Sequence, residues 1–479
     1  MSNTETNDHV IIFPFMAQGH TLPLLDLAKA FTIHHNLNVT IITTPSNAKS
    51  ISDYISPIHF PTISLSLIPF PPIDGLPKGV ENTSQLPSMQ DFYVPFLHAT
   101  KKLKQPFDQI LATHHPRPLC VISDFFLGWT LDSCRAFGIP RLVFHGMSVC
   151  SMAISKSLWC APPELKMMMT SADKKQPLDL PNMKLPFTLT AADVPAEVMV
   201  NSSAEEDPLV KYIEEVGWAD ANSWGIIVNS FHEVELSHTE SFEKFYFNGA
   251  KAWCLGPLFL CEGKTGIINA NANSSTSWEE LSRWLDEQVA PGSVIYVSFG
   301  SQADVSSSQL DEVAYGLVAS GCRFVWVVRS KSWVGPEGLE EKIKGKGLVV
   351  RDWVDQRRIL DHRSVGGFLS HCGWNSILES VSAGVPILVW PMMAEQALNA
   401  KLIVEGLGAG LRLEKSKDDS VNMLKRESIC EGVRELMSGG KGRHARERAQ
   451  ALGRVAHKAV QKGGSSHEAM SRLVSELRQ

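Results

Sequence analysis

Four side chains fall at a spacing that suits phosphate chemistry: His371, Asn375, Ser376 and Glu379, in the stretch FLSHCGWNSILESVSAGVP from Phe368 to Pro386. The apolar run Val365–Leu369 predicts a buried strand. Ile377, Leu378 and Val381 then give an inward helical stripe from near Gly373, and Gly384-Val385-Pro386 ends it. Asn375 and Glu379, four apart, share a helix face, and His371 precedes that face by four. A helix N-terminus carries unpaired N–H groups and about half a positive charge. It therefore suits a nucleotide diphosphate, with His371, Asn375 and Ser376 as added donors. Glu379, one turn on, can accept hydrogen bonds from a vicinal diol such as a ribose. On the residues alone a second reading stays open, in which Asn375 and Ser376 merely cap the helix.

A second pair lies far upstream. The run Val10–Phe15 predicts a strand, Gly19 and His20 a tight turn, and Pro23 the start of a helix lined by Leu24, Leu27, Ala28 and Phe31. His20 then sits on the loop beyond a strand's carboxyl end, where open α/β sheets bind ligands. It is one of 16 histidines, and position alone does not make it catalytic. Asp124 directly follows the strand LCVIS and so belongs to the same rim. A buried carboxylate beside an imidazole fixes its tautomer and stabilises its protonated form. The alternative for Asp124 is a cap on the next helix.

These residues need a scaffold of strands and helices in alternation. Strands are predicted at Val10–Phe15, Val39–Thr43, Leu119–Ser123, Leu142–Phe144 and Ile226–Asn229. A second set is predicted at Val294–Ser298, Phe324–Val328, Leu348–Val350, Val365–Leu369 and Pro386–Val389. Continuous apolar runs alternating with helical patterns predict an α/β chain with parallel sheets covered on both faces. With 479 residues, more than one domain is expected. The Gly-, Asn- and Ser-rich stretch from Cys261 to Ser277 reads as a linker. After Gly463 and Gly464, the residues Ala469, Leu473 and Leu477 predict a last amphipathic helix. GLGAGL, Gly406–Leu411, follows a helix rather than opening one and reads as a turn into a strand.

Composition narrows the class. A net charge of -6 without a basic stripe argues against a nucleic-acid partner, and no apolar run reaches the roughly 18 residues of a membrane span. The polar N-terminus lacks a signal peptide's positive flank, and the nine scattered cysteines suit a reducing compartment, so a cytoplasmic location is expected.

The window from Trp353 to Gln396, WVDQRRILDHRSVGGFLSHCGWNSILESVSAGVPILVWPMMAEQ, resembles the 44-residue signature box of plant family 1 UDP-glycosyltransferases. The resemblance extends through FPFMAQGHTLPLL near the start, NSFHEVE at Asn229–Glu235, LGPL at Leu255–Leu258 and SVIYVSFGSQ at Ser293–Gln302. It implies a GT-B fold, with two Rossmann-like doubly wound domains facing each other across a cleft. The implied domains are an acceptor-binding domain over 1–258, a linker over 259–277 and a UDP-sugar-binding domain over 278–460. A final helix over 461–479 would pack back on the first domain. The resemblance gives each residue a role. Trp353 stacks on uracil, and Gln356 holds the nucleoside. His371, Asn375 and Ser376 take the diphosphate with Ser301. Glu379 takes the ribose diol. Trp374, Glu395 and Gln396 meet the hexose, and a closing Gln accompanies glucose donors in that family. One departure stands out: Val354-Asp355 replaces the usual Ala-Pro.

The implied reaction is transfer from UDP-glucose with His20 as general base and Asp124 as its support. It inverts the anomeric carbon, and donors at the helix N-terminus replace a divalent metal. UDP-glucose is a cosubstrate, with no cofactor and no metal site expected. Phe92, Phe126, Met147 and Trp159, within a Met- and aromatic-rich region from Val80 to Val200, suit a flat apolar acceptor. A flavonoid or other phenolic is the first expectation and a terpenoid the second, with attack through carbon an alternative to oxygen. A monomer is expected. A sugar-nucleotide epimerase and a non-catalytic nucleotide-sugar binder are the alternatives to a transferase.

Overall fold

The computed structural model describes residues 8–171, 173–181, 183–195, 207–235, 238–246, 248–262, 276–300, 303, 305–330, 332–414 and 423–479. Most of the expected linker, 263–275, lies outside them. The chain forms two compact units. One comprises Met1–Lys156, Val200–Ala272 and Lys458–Gln479, and the other Ser157–Met199 and Asn273–His457.

The first unit is built on a parallel sheet of β1 (His9–Phe13), β2 (Asn38–Thr43), β3 (Ile63–Leu67), β4 (Cys120–Asp124), β5 (Arg141–His145), β6 (Gly225–Val228) and β7 (Ala252–Cys254), in the order β3-β2-β1-β4-β5-β6-β7. Alternate side chains enter two cores. Val10 and Ile12 of β1 join Leu24, Leu27 and Phe31 on one face, while Ile11 and Phe13 join Phe96, Phe107 and Val121 on the other. That double burial explains why the strands read as unbroken apolar runs.

The second unit repeats the plan with β8 (Val294–Ser298), β9 (Arg323–Val327), β10 (Gly347–Val350), β11 (Val365–Ser370), β12 (Ile387–Val389) and β13 (Gly410–Arg412), ordered β10-β9-β8-β11-β12-β13. Ile295 and Val297 point into one core, Val294 and Tyr296 into the other. Each order reverses once, between β1 and β4 and between β8 and β11. Crevices at such switch points, beyond the strands' carboxyl ends, are where doubly wound sheets bind ligands.

Two strands have no counterpart in the sequence reading, β3 and β7. Both are edge strands with one neighbour, so they lack the full apolar run. GLGAGL behaves as read, with Gly408 at φ 69 turning the chain into β13. One expectation is corrected. The helix Gln18–His35 begins five residues before Pro23, which lies inside it, so His20 occupies its first turn rather than a loop. The early start is fixed by N–H bonds from His20 and Thr21 to the Ala17 carbonyl, and by the Thr21 hydroxyl donating to Phe15 O at 3.1 Å.

Candidate active site

In the first unit, the register Phe13↔Ser123 sets the ends of β1 and β4 side by side. Asp124 is the last residue of β4 and fully buried, and its Oδ2 lies 2.9 Å from His20 Nδ1. Its other oxygen accepts the Phe126 N–H at 3.0 Å and caps the short turn Phe125–Leu127. The imidazole contact and the cap are therefore present at once, one per oxygen. His20 keeps 27% of its side chain exposed, enough for a ligand to reach.

Aromatic rings wall this pair. Phe15 and Phe126 meet the His20 ring edge-on at 5.5 and 5.6 Å, and Tyr93 meets Phe126 at 6.4 Å. Burial, reinforced by the Asp124 charge, raises the Tyr93 phenol well above its ordinary range. Tyr212 donates to the Phe126 carbonyl at 2.6 Å and fixes the turn from behind. Of the expected acceptor residues, Phe126 thus lies against His20. Phe92 is half-buried one residue before Tyr93, and Met147 is half-buried in the turn after β5. Trp159, also half-buried, belongs to the second unit. Beneath the pair runs Arg141, fully buried. Its Nε donates to Ser123 and Thr130 hydroxyls at 2.8 and 2.9 Å, its Nη1 to Ser223 at 2.6 Å, and its Nη2 to Asp124 O at 3.4 Å. An arginine at a strand's start carries no local signal for this reach.

In the second unit, β11 delivers His371 at the switch point beside β8. Its Nε2 lies so near Gly300 and Gly373 that a Cβ on either would approach within 2.7 Å. Gly300 also has φ 79, so glycine is required there twice over. Burial lowers the His371 pKa to about 4, only partly opposed by the Ser298 backbone, so the imidazole is neutral at ordinary pH. Cys372 follows at φ 68, a left-handed bend, and its N–H donates to Ser370 Oγ at 3.1 Å. The helix Trp374–Ser382 has Gly373 at its N-cap and no side-chain cap. Asn375 and Ser376 lie inside its first turn, and the N-cap position itself falls on Gly373. A helix N-terminus at the end of a strand is the kind of place that suits an anion.

Gln356, Ser376 and Glu379 form a network of their own. Gln356 donates to Ser376 Oγ at 2.9 Å and to Glu379 Oε2 at 2.7 Å, and accepts from the buried Tyr296 hydroxyl at 3.2 Å. Tyr296 was not foreseen, because it reads as one apolar residue in a strand. The unusual Val354-Asp355 has a structural account. Val354 is buried in the core, and Asp355 caps the helix Gln356–Leu360 by accepting Arg357 N–H at 3.0 Å. A side-chain cap here does what a proline's fixed φ would do. Trp353 just before it stays 42% exposed. Trp374 is buried. Gln396 Oε1 accepts the Met392 and Met393 N–H groups at 2.9 and 3.0 Å, so its amide NH₂ is the half left to donate. Glu395 Oε1 accepts from Asn399 at 3.0 Å. Ser301 lies outside the described residues. Among the described residues no group of three His, Cys, Asp or Glu could hold a metal ion, and no helix is long and apolar enough to cross a membrane.

Comparison with known proteins shows what the chain as a whole is similar to. Residues 258–431 match the family model described as UDP-glucoronosyl and UDP-glucosyl transferase. The chain is 39% identical over 480 residues to scopoletin glucosyltransferase of Nicotiana tabacum, covering 98% of each. It is 37% identical to UDP-glucose flavonoid 3-O-glucosyltransferase 7 of Fragaria ananassa, over 98% of this chain and 96% of that one. The crystal structure of Medicago truncatula UGT71G1 complexed with UDP-glucose superposes over 100% of both chains, with a TM-score of 0.81 and 28% identity.

Proposed function

The chain belongs to the plant family 1 UDP-glycosyltransferases and is a UDP-glycosyltransferase of GT-B fold, and from that premise we propose that it moves glucose from UDP-glucose to a small apolar plant phenolic, with inversion. The observation that carries this reading is the 2.9 Å bond between His20 and buried Asp124 at the first sheet's switch point. With Nδ1 turned to the carboxylate, His20 meets an acceptor hydroxyl through Nε2. The acceptor oxygen attacks the anomeric carbon, its proton passes to Nε2, and the bond from that carbon to the UDP oxygen breaks. Asp124 offsets the charge gained by the imidazole. Attack opposite the leaving group turns an α-linked donor into a β-glycoside. The aromatic wall of Phe15, Tyr93 and Phe126 suits a flat acceptor, and two relatives are named for scopoletin and flavonoid transfer.

On the donor side, the N-terminus of Trp374–Ser382, neutral His371 and Asn375 would hold the diphosphate and stabilise the charge left on UDP. Exposed Trp353 would stack on uracil. Glu379, oriented by Gln356, would take the ribose, and the Gln396 NH₂ with Glu395 would read the hexose. His20→Ala should leave UDP binding intact and lower transfer to a weakly acidic alcohol by about 10²–10⁴. Calorimetry for UDP and product formation followed by mass spectrometry test the two halves. Near-normal turnover in the variant removes the base assignment.

A further inference from the structure

We propose that Asn399 is a positioning residue that sets the Glu395 carboxylate for the donor hexose and thereby contributes to which sugar is transferred. The proposal rests on the reading that Glu395 meets the hexose. Asn399 is fully buried on the helix Gln396–Lys401, one turn after Glu395. Its Nδ2 donates to Glu395 Oε1 at 3.0 Å and to Cys372 O at 3.1 Å. Cys372 is the left-handed residue between His371 and the helix Trp374–Ser382. One amide nitrogen therefore joins the turn beneath the diphosphate site to the carboxylate on the sugar side.

Glu395 occupies the N-cap position of its helix, yet its side chain makes no capping bond there. A carboxylate at that place ordinarily bends back to the helix N–H groups. Asn399 holds it elsewhere, and holds it against a carbonyl whose backbone conformation is itself constrained. Only a group donating two hydrogen bonds can satisfy both oxygens. Aspartate in its place would confront both with negative charge, and alanine would leave the buried Cys372 carbonyl without this donor. In either case Glu395 regains rotamer freedom, and its discrimination between an equatorial and an axial sugar hydroxyl weakens.

The test measures kcat/KM with UDP-glucose and UDP-galactose, and UDP inhibition, for wild type, Glu395→Ala, Asn399→Asp and Asn399→Ala. Both Asn399 variants should shift the donor ratio in the direction of Glu395→Ala, by about 5-fold, one hydrogen bond's worth of discrimination. UDP inhibition should stay within about twofold. A ratio unchanged in both Asn399 variants but altered in Glu395→Ala overturns the role of Asn399. So does a loss of UDP inhibition at constant ratio, which is what a merely structural residue would give. A ratio unmoved by Glu395→Ala refutes the hexose contact itself, and the proposal with it.

Discussion

Arg141 shows how far a residue's work can lie from its local pattern. It starts β5, yet its guanidinium runs under the end of β4 and meets only hydroxyls and carbonyls. Burial lowers its pKa, while the charges of Asp220 and Asp124 act to raise it. The cation is thus compensated at longer range by two buried carboxylates, one of them the partner of His20. Arg141→Met should destabilise the fold by about 3–5 kcal/mol, because three hydroxyls and two anions lose their common partner. Adding Asp124→Asn should cost less on that background than on wild type, since one stranded charge goes with it. Denaturant unfolding of the two single variants and the double variant measures the coupling. Strictly additive costs would show that Arg141 and Asp124 do not act as a pair.

Among elements, the motif NSFHEVE finds its purpose in tying pieces together rather than in catalysis. Asn229 Oδ1 accepts the Leu258 N–H at 3.0 Å, so it fixes the LGPL turn. Glu235 is fully buried. It accepts the Ser230 hydroxyl at 2.7 Å and the Cys150 N–H at 2.9 Å, at the start of the helix Val149–Trp159. That helix follows the turn bearing Met147, so Glu235 anchors the neighbourhood expected to meet the acceptor. Burial pushes its pKa up to about 6 from an ordinary 4.5, against the pull of those hydrogen bonds. The folded state therefore holds this proton more tightly than the unfolded chain. The contribution is full below pH 4.5 and is lost as pH rises through 6, by roughly 2 kcal/mol. Glu235→Gln cannot titrate. The stability gap between wild type and variant should shift toward the variant by that amount between pH 4.5 and 7. Urea midpoints at both pH values check it, and a gap independent of pH refutes it.

For the molecule as a whole, the chain's last helix belongs to its first unit. Met470, Leu473 and Val474 of the helix Ser465–Leu477 join the core that holds Val10, Leu24 and Trp253. Ser466 donates to the Gly256 carbonyl at 2.6 Å, and Arg478 reaches Asp8 at 2.7 Å. Segments far apart in the sequence thus close one core, so the first unit depends on the helix Ser465–Leu477 to cover it. Leu473→Ala, at a fully buried position, should cost about 2–5 kcal/mol. Thermal unfolding would register the loss, while UDP should still raise the midpoint if the nucleotide binds the other unit. A midpoint within a degree of wild type would mean the helix is not part of the cooperative core.

The sequence by itself determined what is local. Apolar runs marked the inner strands, because these are buried on both faces. The spacing from His371 to Glu379 marked a helix entry, because helical geometry repeats over four residues. The resemblance of Trp353–Gln396 to a known signature named the chemistry. What only the tertiary structure decided are the partnerships between distant segments. His20 meets Asp124 across 104 positions because the sheet order sets β1 beside β4. Tyr296 meets Gln356 across 60, and Asn399 meets Cys372 across 27, because β8 pairs with β11 and the helix Gln396–Lys401 packs against the turn that follows β11. Side-chain periodicity fixes which face a residue shows, but non-local packing chooses the residue that face meets. For that reason the supporting residues Arg141, Tyr296 and Asn399 carried no signal along the chain.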